Sequence, residues 1–401
     1  MSKIVTDEKQ IDEVLERGVD EVIVKENLKK RMIAGEKLRI KLGIDPTGSV
    51  LHLGHAVVLR KLRDFQKLGH QVIFLIGDFT ARIGDPTGRS SARKPMTDEE
   101  IKSNMEDYKE QAGRIIDLEN VEVRYNSEWL AKLNLKDLIL LTSKITYAQM
   151  AQRADFKDRI KKDMDLSIQE FLYPAMQGYD SVALKADVEL GGTDQKFNLL
   201  MGRQLQKRYD QPPQDVITCP LLEGLDGVEK MSKSVGNYIA LNEEPDSMYG
   251  KVMSIPDKLI FRYYELCTEV NGAELDEIKK ALGDSNVNPR DYKMKLAYEI
   301  VKTNYGKETA GKAQSYFVKT IQRKEAPEET EEVKVRVGTS LIDLLVGSGL
   351  AFSRSEAKRK IVQGGVKLGE QTISDINYQI GDSDNGKILK VGKRNYRRIM
   401  L

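Results

Sequence analysis

The sequence is poor in the residues that bind metals or form disulfides, because its 401 residues include only two cysteines and three histidines. Cys219 and Cys267 stand alone in apolar surroundings, and their spacing matches neither a zinc site nor a disulfide framework. We therefore expect no metal site formed by the protein. A chain without a disulfide pattern also fits the reducing cytoplasm.

Long apolar runs are missing as well. No run in the sequence could cross a bilayer, and the first thirty residues are charged rather than signal-like. These absences predict a cytoplasmic protein that has no membrane partner. A chain of 401 residues is too long to fold around one ordinary hydrophobic core, so two or three domains are expected.

The net charge of +2 conceals an uneven distribution. Residues 334–401 contain 13 Lys and Arg but 6 Asp and Glu, a net charge of +7, whereas the preceding residues carry −5. The acidic, proline-containing stretch before this tail has the composition of a linker. A small basic tail with glycine turns is typical of a module that binds the phosphate backbone of a nucleic acid.

Two of the three histidines lie in one motif, His-Leu-Gly-His at residues 52–55. Residues 38–44 alternate apolar and polar side chains, as a strand does, and apolar residues recur at helical spacing after the motif. The histidines are therefore predicted at a helix N-terminus, where unpaired N–H groups and the helix dipole favour phosphate. The alternative is a chance pair of histidines on a surface turn.

Strands and helices alternate from residue 38 onward, which predicts an α/β fold with a parallel sheet covered by helices. The loop 77–95 follows the predicted strand 71–76, at the sheet edge where such folds bind ligands. Asp85 in this loop could bind an ammonium group. The alternative is a flexible surface turn. Residues 128–162 are predicted to be helical, and their apolar stripes favour a core or a subunit interface over a ligand site.

Three polar residues are spaced for one face of a helix: Tyr173, Gln177 and Asp180. Burying Gln and Asp without partners is costly, so this face suits a small polar ligand. Further along, Gly192 and Asp194 lie at a strand-to-helix turn that could accept a ribose or phosphate. Lys230 and Lys233 follow in a polar loop that could close over a triphosphate, although a solvated basic turn is the alternative.

The motif His-Leu-Gly-His near the start of an α/β domain, with Lys-Met-Ser-Lys-Ser at residues 230–234 near its end, resembles the class I aminoacyl-tRNA synthetases. The spacing of Tyr173, Gln177, Asp180 and Gln195, with Gly-Ile-Asp-Pro-Thr at residues 43–47, resembles the bacterial tyrosyl-tRNA synthetases among them. The basic tail is similar to the alpha-L RNA-binding module of that family. The resemblance covers roughly residues 30–401.

This resemblance implies a Rossmann-like parallel-sheet catalytic domain, a helical middle domain and a small α+β alpha-L module at the C-terminus. We expect an N-terminal helical extension at 1–37, the catalytic domain at 38–228, and the signature loop with the helical anticodon-side domain at 229–323. A linker at 324–334 and the RNA-binding domain at 335–401 would follow.

The resemblance also implies site residues. Those expected to act in catalysis are Thr47, His52, His55, Lys230 and Lys233. Those expected to bind tyrosine are Lys41, Asp85, Tyr173, Gln177, Asp180 and Gln195. Those expected to bind ATP are Asp45, Gly54, Gly192, Asp194 and Lys233. Those expected to bind RNA are Arg354, Lys358, Arg359 and Lys360.

The implied reaction joins tyrosine to ATP, releases pyrophosphate, and then moves the tyrosyl group to the 3′ end of tRNA(Tyr). ATP is a substrate, Mg²⁺ is expected to accompany it, and the family implies a homodimer. Two alternatives remain: a tryptophanyl-tRNA synthetase of the same fold, and a catalytically silent RNA-binding relative. An indole pocket has no need of Asp180, and intact signatures argue against silence.

Lys41 departs from the better-known branch of the family, which has tyrosine at this position. Strand alternation places Lys41 near the sheet edge that binds ligands. We expect its ammonium group to clamp the phenolic hydroxyl of the substrate together with Asp180. The alternative is a lysine whose head group extends to water.

Overall fold

The computed structural model describes residues 4–87, 96–322, 330–392 and 395–401. The chain divides into two compact units, Met1–Lys307 and Glu308–Leu401, here called the large unit and the small unit. Parts of two predicted features, the loop 77–95 and the linker 324–334, lie outside the described residues. The predicted border at residue 228 lies inside the large unit and stays a prediction.

A six-stranded sheet forms the centre of the large unit. Its strands are β1 (Glu21–Ile23), β2 (Arg39–Ile44), β3 (Gln71–Ile76), β4 (Val121–Tyr125), β5 (Val188–Gly192) and β6 (Asp215–Cys219). Their order is β1-β6-β5-β2-β3-β4, and β1 is antiparallel to β6 while the other neighbours pair in parallel. This arrangement confirms the predicted α/β fold with a Rossmann-like sheet.

Helices follow the strands as predicted, which accounts for the buried apolar strands. The helices of this unit are α1 (Glu8–Glu16), α2 (Lys25–Ile33), α3 (Leu53–Lys67), α4 (Asp98–Ala112), α5 (Ser127–Leu130), α6 (Leu135–Ser143), α7 (Tyr147–Met150), α8 (Ala154–Lys161), α9 (Ile168–Leu184), α10 (Lys196–Arg208), α11 (Pro245–Ser254), α12 (Ile260–Cys267), α13 (Gly272–Leu282) and α14 (Pro289–Tyr305). Short 3₁₀ turns lie at Thr80–Arg82, Leu118–Asn120, Thr193–Gln195 and Asp257–Leu259.

The N-terminal region differs from the prediction of helices alone. Between α1 and α2, the strand β1 pairs with β6 and becomes the edge strand of the sheet, with Val22 opposite Ile217. A strand of three residues is too short to show a period-two pattern, so only its pairing partner identifies it. The extension therefore contributes an edge of the sheet as well as helices.

The strand order places β2 at a topological switch point. The connection from β2 through α3 leads to β3 on one side, whereas β5, which comes much later in the chain, pairs on the other side. The carboxyl ends of β5, β2 and β3 therefore meet at one edge, and α/β sheets bind ligands in the crevice at such a point.

Helix α9 lies close to α10, and this contact fixes the face that α9 presents to the sheet. Gly178 makes the close approach possible, because a Cβ there would lie 2.9 Å from Leu205 Cδ1 and 3.1 Å from Met201 Cγ. The N-terminal end of α9 is fixed separately by a buried ion pair, in which Arg159 Nη1 donates to Glu170 Oε1 at 2.6 Å. Residues 173–184 are thereby held over the sheet.

The small unit has an α+β fold with its own apolar core. Helix α15 (Lys307–Phe317) and a π-helical turn (Val318–Gln322) precede β7 (Glu332–Lys334), α16 (Leu341–Gly347), α17 (Arg354–Val362), β8 (Val366–Leu368), β9 (Gln371–Thr372), a 3₁₀ turn (Asp382–Asp384), β10 (Ile388–Val391) and β11 (Asn395–Met400). The strand order is β7-β11-β10-β8-β9. Helices α16 and α17 begin directly after the caps Ser340 and Ser353, whose hydroxyl groups accept backbone N–H groups.

No helix in the described parts of the chain is both long and apolar enough to span a bilayer.

Candidate active site

The loops that follow β2, β3 and β5 bring four of the predicted residues into direct contact. The phenol of Tyr173 donates to Asp45 Oδ2 at 2.8 Å, and Gln195 Nε2 donates to Asp85 Oδ2 at 2.6 Å. Burial, followed by the charges of Asp45 and Asp85, raises the pKa of Tyr173 well above its usual value. Residues expected to bind tyrosine and ATP thus share one crevice.

Asp180 lies at the inner end of this crevice and is 2% exposed. Its carboxylate accepts the indole N–H of Trp129 at 2.8 Å and the amide of Asn126 at 3.3 Å. Burial raises the pKa of Asp180 to about 7, against the opposing effect of the Lys41 cation. The third member of the helix face, Gln177, has a buried Oε1 atom that finds no hydrogen-bond partner among the described residues.

Lys41 is not arranged as the sequence predicted. It neither extends to water nor has a hydrogen left for a substrate, because it is fully buried and donates to three protein atoms. These are Glu189 Oε1 at 2.8 Å, Ser181 Oγ at 3.0 Å and the backbone oxygen of Gln177 at 3.4 Å. An ammonium group has three N–H donors, so the expected clamp on the substrate hydroxyl is wrong in its direct form. The sequence could not show Glu189 as the partner, since it lies far along the chain.

His52 and His55 are in ring-to-ring contact at the start of α3, with His52 as the N-cap residue, 3.9 Å between ring centroids and the ring planes tilted by 46°. The backbone N–H of His52 donates to His55 Nδ1 at 3.2 Å. Burial, then the charges of Lys233 and Lys230, lowers the pKa of His52 to about 3. Burial also lowers the pKa of His55 far below its usual value, so both imidazoles are neutral at physiological pH.

The two signature lysines contact groups at the same edge. Lys230 Nζ lies 2.7 Å from Asp194 Oδ2, and Lys233 Nζ donates to the hydroxyl of Tyr108 at 3.1 Å. A Cβ at Gly48, in the turn after β2, would lie 2.8 Å from Lys233 Nζ. That turn also contains Thr47, so the loop after β2 and the lysine loop border one space.

Gly54 and Gly192 were expected to let ATP come close to the backbone, and both also prevent clashes within the protein. A Cβ at Gly54 would lie 3.0 Å from two atoms of the His52 ring, and one at Gly192 would lie 2.7 Å from Asp194 Oδ1. Both glycines therefore leave room for functional side chains of the protein itself. Neither contact could be inferred from sequence spacing.

Three residues at the site were missed by the sequence analysis: Asn126, Trp129 and Tyr108. Trp129 had been assigned to an apolar stripe, but its indole N–H contacts Asp180. Asn126 comes directly after β4, and a polar residue after a parallel strand was the available signal. Tyr108 is 1% exposed and looked like a core residue, so only its contact with Lys233 indicates a function.

The predicted RNA-binding residues all lie on α17. Arg354, Lys358 and Arg359 are exposed, although Arg354 forms an ion pair with Asp343. Lys360 was expected to be exposed, but it is partly buried and donates to the backbone oxygen of Leu350 at 2.8 Å. Phe352, which the sequence analysis missed, precedes this helix and is 96% exposed.

Among the described residues, no group of three or more His, Cys, Asp or Glu side chains is arranged to hold a metal ion.

Two family models match the chain. The first, described as tRNA synthetases class I (W and Y), matches residues 34–322, and the second, a tyrosine–tRNA ligase SYY-like C-terminal domain, matches residues 322–399. The first match covers five of the six strands of the sheet, the histidine pair and the lysine loop. The fold and the site therefore define a class I aminoacyl-tRNA synthetase.

Individual relatives narrow the family further. The chain is 50% identical over 394 residues to a tyrosine–tRNA ligase from Thermotoga maritima, with 98% of each chain covered. It is 50% identical over 401 residues to one from Carboxydothermus hydrogenoformans, with 97% of each covered. The chain belongs to the tyrosine–tRNA ligase family. A solved tyrosyl-tRNA synthetase from Archaeoglobus fulgidus, complexed with L-tyrosine, has the same fold, with a TM-score of 0.62, 23% identity and coverage of 77% of this chain and 100% of that one.

We expect all three histidines to remain neutral at pH 5, since burial lowers the pKa of His52 to about 3 and that of His70 to about 4, with His55 also far below 6.5. Unfolded histidines protonate near 6.5, so the folded chain binds fewer protons between about pH 6.5 and 4. The free energy of unfolding should therefore decrease as the pH is lowered through this window, by up to about 1.4 kcal/mol per pH unit for each histidine.

Imidazole NMR signals recorded from pH 8 to 4.5 test this expectation. A His70→Gln variant, which leaves the pair His52 and His55 intact, should show a shallower pH dependence of unfolding. A midpoint near pH 6.5 for any of the three signals in the folded protein would contradict it.

Proposed function

We propose that this chain activates tyrosine with ATP and then transfers the tyrosyl group to the 3′ end of tRNA(Tyr). One observation carries the proposal: a buried carboxylate for a phenol, neutral imidazoles and two lysines border the same sheet edge. Membership of the tyrosine–tRNA ligase family supports the assignment. Tyr173, Gln177, Asp180, Asp85 and Gln195 form the proposed tyrosine site.

In the first step, a carboxylate oxygen of tyrosine attacks the α-phosphorus of ATP, the bond to the bridging oxygen breaks, and pyrophosphate leaves. The attacking carboxylate is already nucleophilic, so the protein need not supply a base or a covalent intermediate. Its contribution is to hold the reactants and stabilise charge on the phosphate oxygens. The neutral rings of His52 and His55 are suited to donate N–H groups there, with Thr47 beside them.

Lys230 and Lys233 would neutralise the pyrophosphate from the opposite side. Since Lys230 pairs with Asp194, we propose that ATP separates this pair, leaving Asp194 to accept ribose hydroxyls and Lys230 to contact phosphate. Asp45, Gly54 and Gly192 border the proposed nucleotide site. Mg²⁺ would enter on the phosphates of ATP, which supply the oxygen ligands it prefers.

Asp180 would select the substrate by accepting the hydrogen of its phenolic hydroxyl. Phenylalanine offers no such hydrogen and would leave a buried carboxylate with an unmet acceptor. An unsatisfied buried group costs about 1–3 kcal/mol, or roughly 10- to 100-fold in kcat/KM. A site that pairs a hydroxyl therefore rejects the analogue that lacks it.

The small unit would bind the tRNA through α17 and Phe352, which lies two residues before the helix begins. Arg354, Lys358 and Arg359 present cations that can contact phosphates, with a smaller part for the half-buried Lys360. Phe352 projects into solvent beside them, and an unpaired base can stack on such a ring. We propose that Phe352 stacks on a base of the tRNA while the cations hold its backbone.

A second copy of the chain would cover an apolar surface on α6 to α9. Seven of the described large apolar side chains that are exposed lie between residues 135 and 168, led by Ile168 at 75%, Leu135 at 73% and Tyr147 at 68%. Exposed patches of this kind mark protein interfaces. The family resemblance makes a second copy the expected partner, so we propose a homodimer.

We also propose that the enzyme works in the cytoplasm. Its two cysteines are buried free thiols, and burial raises the pKa of both to about 12. Thiols of this kind need no oxidising compartment.

Pyrophosphate exchange measured with each amino acid tests the activation step. We expect exchange with tyrosine, and His52→Ala or His55→Ala should each lower the rate on the order of 100-fold with little change in the KM for ATP, as loss of one transition-state donor does. His70→Ala, at the histidine outside the motif, is the control. Exchange with tryptophan alone would favour the tryptophanyl alternative, and an unchanged rate in the double variant would remove the histidines from the mechanism.

Loss of the Phe352 ring should weaken tRNA binding without affecting activation. Stacking on a base contributes about 1–3 kcal/mol, so Phe352→Ala should raise the KM for tRNA roughly 10-fold or more while exchange with tyrosine stays constant. Val337, which is 53% exposed in the same unit, provides the control Val337→Ala. Equal effects of both variants would argue against a specific contact of the ring.

A charge in the apolar surface should separate the proposed dimer. Ile139 is 61% exposed on α6, so Ile139→Lys has little effect on a monomer but would bury a cation in the interface. Sedimentation velocity should give a dimer for the native chain and a monomer for this variant. Ile33→Lys, at an apolar residue 41% exposed on α2, should stay dimeric. A native chain that sediments as a monomer would refute the assignment.

A further inference from the structure

Lys41 and Glu189 form an ion pair inside the large unit, with side chains 0% and 1% exposed. They occupy neighbouring positions on the parallel strands β2 and β5, on either side of the switch point, and their charged atoms are 2.8 Å apart. This position is directly beneath the helix that presents the proposed tyrosine site.

The pair is fully hydrogen-bonded and connected to α9. Ser181 accepts from Lys41 and donates to Glu189 Oε2 at 2.9 Å, and the side-chain amide of Gln214 donates to the same carboxylate. Ser181 is the neighbour of Asp180 in sequence. The ion pair therefore holds the backbone of α9 at the point where the substrate hydroxyl would lie.

Stability alone is a weak explanation for such a pair. Removing two charges from water is costly, and packed apolar residues often replace buried ion pairs at no loss of stability. A buried pair can nevertheless act on a titratable neighbour, because its field is weakly screened in the interior. Asp180 is that neighbour.

Several groups face the Asp180 carboxyl. Asn126 and Trp129 donate hydrogen bonds to it from the segment after β4, and the phenol of Tyr173 lies on the same helix. Lys41 on β2 favours its ionised form, and Glu189 on β5 opposes that form. Burial raises the pKa of Asp180 to about 7. A change in the balance between these two charges therefore alters the protonation of Asp180 near neutral pH.

We propose that Lys41 and Glu189 are positioning residues that set the charge on Asp180 and thereby control how strongly the site prefers tyrosine to phenylalanine. The inference rests on the proposed function. Neither residue contacts the substrate, since Lys41 has no free donor and Glu189 lies behind it. Their effect is transmitted through the carboxyl group that accepts the phenol.

The two charges must act in opposite directions. Without the Lys41 cation, Asp180 faces Glu189 alone and holds its proton to higher pH. Without the Glu189 charge, Asp180 faces the Lys41 cation without that opposing carboxylate and loses its proton at lower pH. If the pair only supported the fold, removing either charge would lower stability, and the pH at which selectivity appears would not change.

The ratio of kcat/KM for tyrosine to that for phenylalanine, measured by pyrophosphate exchange from pH 5.5 to 9, tests this directly, because kcat/KM reports groups of the free enzyme. In the native chain the ratio should fall below about pH 7. Lys41→Met should move this midpoint up by about one pH unit or more, Glu189→Gln should move it down, and the double variant should return it towards the native value. A shift of one unit is a tenfold change in proton affinity.

The buried pair Arg159–Glu170 provides a matched control, since its side chains are 3% and 4% exposed and it also fixes α9. Glu170 lies ten residues before Asp180, about 15 Å along the helix. Glu170→Gln should lower the thermal stability and leave the selectivity midpoint unchanged. A midpoint that moves in this variant as it does in Glu189→Gln would reduce the inference to a general effect of charge removal.

Shifts in the same direction for Lys41→Met and Glu189→Gln, or no shift in either, would overturn the inference. If Lys41→Met does not fold, Lys41→Arg, which retains the charge, should keep the native midpoint, and Glu189→Gln still has to lower it. Native protein that does not use tyrosine would refute the proposed function instead. If the native protein uses tyrosine but neither variant changes the pH dependence of its selectivity, this inference alone is refuted.

Discussion

Parallel pairing of β2 with both β3 and β5 is the constraint on which the remaining structure depends. Parallel strands end at the same edge, so the loops after these three strands meet, although β5 ends more than a hundred residues after β3. For this reason Gln195 contacts Asp85, and Asp45 contacts Tyr173 at the same edge. The same pairing sets Lys41 beside Glu189 in the layer below.

Differences in burial leave neutral imidazoles and cationic lysines next to one another at this edge. The imidazoles of His52 and His55 are neutral because the packed start of α3 excludes water and two lysines lie nearby. Lys230 and Lys233 lie in a more accessible loop and contact oxygen atoms of Asp194 and Tyr108. Neutral donors and cationic groups thus border one space, where a triphosphate would require both.

Much of the fold was predictable because periodic patterns are local. Residues 38–44 alternate apolar and polar side chains and contain β2, and the spacing of Tyr173, Gln177 and Asp180 follows from helix geometry. The burial of β2 does not alternate, because residues 40–42 are all buried in a central parallel strand. Strand β1 was not predicted, because three residues are too few to show an alternation of apolar and polar side chains. The partner of Lys41 could not be found because pairing of β2 with β5 is set by topology, not by nearby sequence. Trp129 was assigned to the core since an indole ring is apolar over most of its surface, and its single N–H group becomes informative only once Asp180 is in place.

The neutral histidines have a consequence for a cell whose interior becomes acidic. Burial lowers the pKa of His52 to about 3 and that of His55 well below its usual value, so neither ring changes its charge over the range that a living cytoplasm covers. Asp180, with a pKa raised to about 7, does change there. Under the proposed role of Asp180, mild acid stress would therefore lower the preference for tyrosine over phenylalanine while both imidazoles stay neutral, so that phenylalanine would enter the proteome at tyrosine codons.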